Sequence, residues 1–146
     1  MFLMRSAHVA KSWGHIASKA PSIVQCFFTL TAVWIALRSL GLGRTLSFLR
    51  HRNVQPVKAG ASTDLISATS HNIAVAAAYF PGRARCLEQS LGLYYHLRVR
   101  GVDAKVRIGI QPYRMSGHAW VEVDGTPVNE YGEIIRKLSV FPILLP

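Results

Sequence analysis

The sequence predicts an α+β fold, in which a helical N-terminal half is followed by a small antiparallel sheet. Apolar residues recur at helical spacing in several segments before Gly101. Two later segments, 103–110 and 118–123, alternate between apolar and other residues, as half-buried strands do. Asp124 and Gly125 follow the second segment and are a strong signal for a tight hairpin turn.

The chain length and the cysteine content favour one domain. A chain of 146 residues is long enough to bury a single core. We expect residues 1–60 to form an apolar and basic helical part of this domain and residues 61–146 to form its core. The two cysteines, Cys26 and Cys86, stand in dissimilar surroundings and form no disulfide framework, so a reducing, cytoplasmic setting is the simpler expectation.

The net charge of the chain is strongly positive, because 17 Lys and Arg residues stand against seven Asp and Glu residues and give +10. A charge of this size favours an acidic partner, such as nucleic acid, anionic lipid or an acidic polypeptide. Surfaces that bind nucleic acid usually interleave basic residues with aromatic ones. Here the arginines are scattered beside apolar helix positions, and we therefore expect no nucleic-acid partner.

Two helices are predicted in the N-terminal part. Residues 21–37 carry no charge, but they include Gln25 and two threonines and fall short of the roughly 20 apolar residues that a membrane span needs. A buried helix is the simpler prediction, followed by a shorter basic and amphipathic helix near residues 43–52. Peripheral contact of this part with anionic lipid is the alternative.

Two more helices are predicted before the sheet. Residues 65–80 carry a wide apolar stripe at helical spacing, and Pro81 bounds that helix. The next helix begins at Cys86, and its apolar positions again recur at helical spacing. Gly101 is expected to end it, as a C-terminal glycine of a helix does.

Three strands are predicted to form the sheet. The first two are residues 103–110 and 118–123, and residues 126–134 would return along the second strand after the tight turn. The tail, residues 136–146, is apolar and contains two prolines. We expect this tail to lie over the core.

Cys86 is the first candidate for chemistry. It stands in the first turn of a predicted helix, where the macrodipole favours a negative charge, and the neighbouring Arg83 and Arg85 act in the same direction. His118 opens a strand downstream. A cysteine protease or acyltransferase needs such parts, because a thiolate attacks a carbonyl, an imidazole transfers protons and a third group fixes the imidazole tautomer.

The residues leave the third group of such a site open, since Asn129 and Glu130 both lie beyond the hairpin turn. With a two-residue turn, strand alternation puts Asn129 on the face of His118, whereas a three-residue loop puts Glu130 there. Backbone N–H groups at the start of the helix are available to an oxyanion. On the preceding helix, His71 and Asn72 are candidates for a second donor.

A purely structural role for these residues is the alternative. Cysteine is among the most buried residue types and is usually inert, and we interpret Cys26, in the apolar helix, as such a core residue. A histidine at the end of a strand is often only hydrogen-bonded. The other histidines show no metal-ligand spacing, and Cys86 and His96 lie too far apart along one helix to share a zinc ion. We expect no metal or other cofactor.

The segments RCLEQSLGLYYHLRVRGVDAKVRIGIQP and GHAWVEVDGTPVNE resemble the transglutaminase-like cysteine protease fold. In particular, they are similar to the stand-alone leader peptidases of lasso-peptide biosynthesis. The shared features are an Arg-Cys-Leu start of a helix, an Arg-rich helix that ends in Gly, a strand, and then His-Ala-Trp-Val-Glu. The similarity covers residues 80–130.

This resemblance implies a function. Enzymes of that family remove the leader from a ribosomally made precursor peptide, which a small leader-recognition protein delivers, and a separate cyclase then closes the lasso ring. By matching positions, Cys86 is the nucleophile, His118 is the base, and the family's third residue, an aspartate, falls on Glu130. Residues 61–146 are then the catalytic core. A transamidase or acyltransferase on the same scaffold, and a non-enzymatic basic adaptor at a membrane surface, are the alternative functions.

Overall fold

The computed structural model describes residues 20–52, 63–130, 132–142 and 145–146. Within these ranges, four helices come first and a four-stranded antiparallel sheet with one short helix follows, so the predicted α+β class is confirmed. The helices are α1 (Ile23–Ser39), α2 (Gly41–Arg52), α3 (Thr63–Ala78), α4 (Cys86–Arg98) and α5 (Gly132–Ile135). The strands are β1 (Ala104–Gln111), β2 (Ser116–Val123), β3 (Thr126–Pro127) and β4 (Ser139–Val140), and their order in the sheet is β3-β2-β1-β4.

Helix α1 begins with a capping box. The Ser22 hydroxyl accepts a hydrogen bond from the Gln25 N–H at 3.2 Å, and the Gln25 side-chain oxygen accepts one from the Ser22 N–H at 3.0 Å. The predicted burial of this helix is only partly right. Cys26 and Leu30 are fully buried, but Phe28 on the opposite side is 69% exposed. No helix in the described ranges is long and apolar enough to cross a membrane.

Helix α4 lies at the centre of the molecule and packs against α1, α3 and the first two strands. Gly92 permits the close approach of its neighbours, because a Cβ there would lie 3.3 Å from both Ile73 Cδ1 and Leu30 Cδ2. The helix ends at Arg98, and the predicted glycine, Gly101, lies in the turn that closes the helix, where its φ of 79° suits glycine. The Val102 N–H then donates to the Leu97 carbonyl at 3.0 Å and closes the helix end.

Strands β1 and β2 pair over their whole lengths, with Val106 opposite Val121. These two valines are fully buried on the face of the sheet that carries the core. The prediction that the tail lies over the core is right for Leu145, which pairs with Val106 and is fully buried, whereas residues 139–142 are exposed. The Tyr94 hydroxyl donates to the Pro146 carbonyl at 3.2 Å.

The predicted turn after β2 is present, with Asp124 and Gly125 at φ values of 51° and 74° and Val123 paired with Thr126. These angles are those of a two-residue hairpin turn. The prediction that the returning strand extends over residues 126–134 is wrong. Strand β3 contains only Thr126 and Pro127, and the chain leaves the ladder after Val128.

A buried polar contact joins α1 to α4. The Thr29 hydroxyl donates to the Gln25 carbonyl at 2.9 Å, so at 2.9 Å it accepts from Nε2 of His96, which is only 5% exposed. Arg100 donates to the His96 carbonyl at 2.9 Å. Burial, reinforced by the charge of Arg100, lowers the pKa of His96 to about 4. Cys26, predicted to be core, is fully buried in α1, and burial raises the pKa of its thiol to about 11.

The depressed pKa of His96 makes the stability of the fold depend on pH. Between its ordinary value of 6.5 and about 4, the unfolded chain protonates this histidine and the folded chain does not. The free energy of unfolding is therefore expected to fall as the pH drops through this window, by about 3 kcal/mol in all. Urea denaturation at several pH values measures it.

A His96→Gln variant is the control for the other titrating groups, because glutamine keeps an N–H donor for Thr29 and does not titrate. Its stability should change less steeply over the same window. Equal slopes for the variant and the parent would contradict a neutral, buried His96.

Candidate active site

The thiol of Cys86 lies at the first residue of α4 and is partly exposed. A tight turn precedes it, in which Gly82 and Arg83 both have positive φ values, 106° and 57°. Arg85 is the extended N-cap residue, and its side chain makes no capping hydrogen bond. The N–H groups of the first turn of α4 therefore point beyond the helix without a side-chain cap, next to the thiol.

His118, near the start of β2, is hydrogen-bonded to an acid. Its Nε2 lies 2.5 Å from Oε2 of Glu130, and both side chains are largely buried, at 27% and 16% exposed. The imidazole also stacks on the indole of Trp120, with ring centroids 6.4 Å apart and an interplanar angle of 21°. With Nε2 turned to the carboxylate, Nδ1 is the nitrogen that remains for a reacting group.

Trp120 gives this pair a rigid base. It is fully buried, and its Nε1–H donates to Glu122 at 2.9 Å. Gly109 lies opposite His118 on β1, and a Cβ there would come within 2.9 Å of Leu138 Cβ and 3.2 Å of the indole ring. Because Gly109 has no side chain, the Trp120 indole and Leu138, in the segment after α5, can both pack against the backbone at this position.

Asn129 serves the backbone instead of the imidazole. Its side-chain oxygen accepts from the Val121 N–H at 2.8 Å, in the place of a strand partner. Its amide donates to the Ser90 hydroxyl at 3.3 Å, and that hydroxyl donates to the Ala119 carbonyl at 3.0 Å. The side chain of Asn129 thereby ties the open edge of β2 to helix α4.

The end of β3 explains why Glu130 reaches His118 although the turn has two residues. The Val128 carbonyl accepts from the Ser70 hydroxyl of α3 at 3.2 Å, so the ladder stops there. The side chain of Asn129 then takes the N–H of Val121 that a longer strand would have bound. Strand alternation no longer applies to Glu130, and the choice based on turn length fails for this reason.

Helix α4 begins at the end of the sheet where His118 lies. The start of β1 lies beside the end of β2, because the two strands are antiparallel. Arg98, in the last turn of α4, forms a 3.1 Å ion pair with Asp103 just before β1, so the helix runs in the same direction as β2. Ser90 contacts Ala119, and Cys86 comes one turn earlier, about 6 Å further along the axis. Since a strand rises about 3.3 Å per residue, this brings Cys86 level with the residues just before Ala119.

Of the two candidates for a second oxyanion donor, Asn72 is engaged by the backbone and His71 is exposed. The Asn72 amide donates to the Pro21 carbonyl at 2.8 Å and so fastens α3 to the start of α1. Among the described residues, no group of three or more His, Cys, Asp or Glu side chains is arranged to hold a metal ion.

Ser90 is the residue that sequence reasoning missed. It is fully buried and one helical turn after Cys86. A serine within the apolar side of a helix was the available signal, because a buried hydroxyl must have hydrogen-bond partners.

The comparison with known proteins assigns the family. The model of the transglutaminase-like superfamily matches residues 29–141, most of the chain. The chain belongs to the transglutaminase-like superfamily. It is also similar to the microcin J25-processing protein McjB of Escherichia coli, with 36% identity over 58 residues, which are 40% of this chain and 28% of that protein. No solved structure gives a significant match.

Two side-chain hydrogen bonds of Asn129 join the edge of β2 to helix α4 beside the candidate active site. Replacing Asn129 by alanine leaves the Val121 N–H and the Ser90 hydroxyl short of partners in a buried place. We expect the free energy of unfolding to fall by about 1–3 kcal/mol, measured by urea denaturation.

Thr126→Ala, at an exposed position of β3, is the matched control and should change stability by less than about 0.5 kcal/mol. If the two variants lose equal stability, Asn129 does not fasten the edge of β2 to α4.

Proposed function

We propose that this protein is a cysteine peptidase that removes the leader from a ribosomally synthesised lasso-peptide precursor. Cys86 is the nucleophile, His118 transfers the protons and Glu130 orients the imidazole. The observation that carries the proposal is the hydrogen bond between His118 and Glu130 at the end of the sheet where the helix of Cys86 begins. The superfamily supports a cysteine-type enzyme, and the E. coli relative, named for processing microcin J25, supports the substrate class.

In the first half-reaction, the Cys86 sulfur attacks the carbonyl carbon at the junction of leader and core. The uncapped N–H groups in the first turn of α4 are suited to stabilise the oxyanion that forms there. His118 takes the thiol proton on Nδ1 and gives it to the departing nitrogen, so the C–N bond breaks and the core leaves with a free amine. The leader stays on Cys86 as a thioester.

In the second half-reaction, water attacks the thioester. His118 removes a proton from the water, the C–S bond breaks, and the proton returns to the sulfur. The leader departs with a carboxylate, and the enzyme regains its starting state. Throughout, Glu130 accepts the hydrogen bond of Nε2–H, holds the tautomer and stabilises the imidazolium when it forms.

The partners follow from the same proposal. The substrate is the precursor peptide, a small leader-recognition protein delivers it, and a lasso cyclase uses the amine that the cleavage frees.

Removal of the nucleophile tests the reaction most directly. When precursor and leader-recognition protein are incubated with the parent enzyme, mass spectrometry should detect free leader and free core. Cys86→Ala should yield neither, because no other group on α4 can form the thioester. Undiminished cleavage by this variant would show that Cys86 is not the nucleophile.

The mass of the leader also separates the peptidase from its closest rival. A transamidase on the same scaffold resolves the thioester with an amine instead of water. In the presence of a small primary amine, a peptidase releases the leader as the carboxylic acid, whereas a transamidase releases it as the amide.

Neutralising the orienting acid tests Glu130. In Glu130→Gln the Nε2–H of His118 loses its charged acceptor, and we expect kcat to fall by about 10²–10⁴-fold while KM changes little. Glu130→Asp keeps a carboxylate and should retain more activity than the glutamine variant. Steady-state cleavage of the precursor measures both.

Glu122→Gln is the matched control. Glu122 is a partly buried carboxylate on β2, the strand of His118, and it accepts a hydrogen bond from Trp120 instead of from the imidazole. Its kcat should stay within a few-fold of the parent value. If Glu130→Gln behaves like this control, Glu130 does not orient the catalytic imidazole.

A further inference from the structure

An apolar groove lies between α1 and α2 on the reverse side of the central helix. Its cavity measures about 380 Å³ and is lined by uncharged side chains from α1, α2 and α4, among them Phe28, Ala32, Leu49 and Tyr95. Tyr95 comes nine residues after Cys86 on α4, and this spacing turns the two side chains about 180° apart around the helix axis. The groove is therefore remote from the candidate active site.

Apolar side chains continue from the groove onto the surface. On α1, Val24 is 63% exposed, Phe28 is 69% exposed and Ile35 is 50% exposed, and on α2 Leu42 is 41% exposed. Val24, Phe28 and Ala32 follow each other at every fourth residue and so form one row along the helix. A continuous apolar surface around a cavity is typical of a binding site, unlike single exposed apolar residues.

The charged residues of the two helices that form the groove have one sign. Helices α1 and α2 contain four arginines, Arg38, Arg44, Arg50 and Arg52, and no Asp or Glu. Arg44, on α2, is exposed, and Arg38, on α1, lies 4.4 Å from the centre of the Trp34 ring. A ligand with negative charge beside its apolar surface complements this part of the chain.

We infer that the groove is a docking site for an amphipathic helix with acidic flanks, contributed by a partner polypeptide. A helix inserts apolar side chains at every third or fourth residue into such a cavity, and its acidic flanks meet the arginines. The apolar row from Val24 to Ile35 is about 16 Å long, which accommodates about three turns of a bound helix. A membrane surface fits less well, because lipid favours protruding apolar residues and the cavity lies between two helices.

A model peptide tests the chemistry of the partner directly with the full chain. The probe is a fluorescein-labelled helix of roughly 16 residues, with leucine at every third or fourth position and glutamate on both flanks. Fluorescence anisotropy should give saturable binding, about tenfold tighter than for a matched peptide with lysine in place of glutamate. Absence of binding, or equal binding of the two peptides, would overturn the inference.

Variants of the groove locate the binding. Ala32→Trp fills the cavity from an exposed helix position and should weaken binding of the glutamate peptide by about tenfold or more. Arg44→Glu should weaken it, whereas Arg136→Glu, the same change of charge on the exposed segment after α5, should not. Thermal unfolding of each variant shows that the fold is retained. Equal effects of the two charge reversals would remove the groove from the interaction.

Two other occupants are outcomes of the same experiment. Co-sedimentation with vesicles of phosphatidylcholine and phosphatidylglycerol tests a membrane as the occupant. A membrane is the ligand if the parent protein sediments with the vesicles and the Ala32→Trp variant does not. Sedimentation of the protein alone identifies a second copy as the occupant if a dimer forms and is lost in Ala32→Trp. Either result would overturn the inference.

Discussion

The early end of strand β3 is the constraint on which the candidate active site depends. A strand that continued past Val128 would have turned Glu130 away from His118. Instead, the Ser70 hydroxyl donates a hydrogen bond to the Val128 carbonyl, and the Asn129 side-chain oxygen accepts one from the Val121 N–H. The two hydrogen bonds together release the chain from the sheet without leaving a buried backbone group unpaired. The acid that bonds to the imidazole owes its position to this interruption.

The same interruption also brings helix α4 to the sheet. A paired β3 would have occupied the edge of β2 where the Ser90 hydroxyl now meets the Ala119 carbonyl. Because Ser90 and Cys86 are one turn apart, the hydrogen bond that seats α4 also sets how far its first residue extends along β2. Positions of the thiol, the imidazole and the carboxylate are therefore coupled through backbone groups of one strand and two polar side chains.

Local signals in the sequence predicted the features that depend on neighbouring residues. The start of α4, the glycine in the turn after its end and the Asp124–Gly125 turn all follow from such signals, and the structure contains each of them. The end of β3 was not predictable in this way, because Ser70 lies 58 residues before Val128 in the chain. Tertiary packing selects the acceptor of the Val121 N–H, and the strand propensities of the neighbouring residues do not predict that choice.

The exposure of α1 was missed for a related reason. An uncharged run of residues predicts burial on every side, but the number of neighbours decides how many sides are covered. Helices α3 and α4 cover the side of Cys26 and Leu30, and the side of Phe28 stays exposed. The signal in Ser90 lay in its position on the apolar side of the helix and not in its residue type, because serine is mostly exposed in folded proteins.

Helix α4 serves the two sides of the molecule differently. Its first turn and Ser90 belong to the candidate active site, whereas Tyr95 lines the groove and His96 contacts Thr29 of α1. Between them the helix is closely packed, since Gly92 lets Leu30 of α1 and Ile73 of α3 approach its backbone. A ligand held in the groove would thus bind the enzyme without obstructing the thiol, and the half-turn between Tyr95 and Cys86 keeps the two surfaces apart.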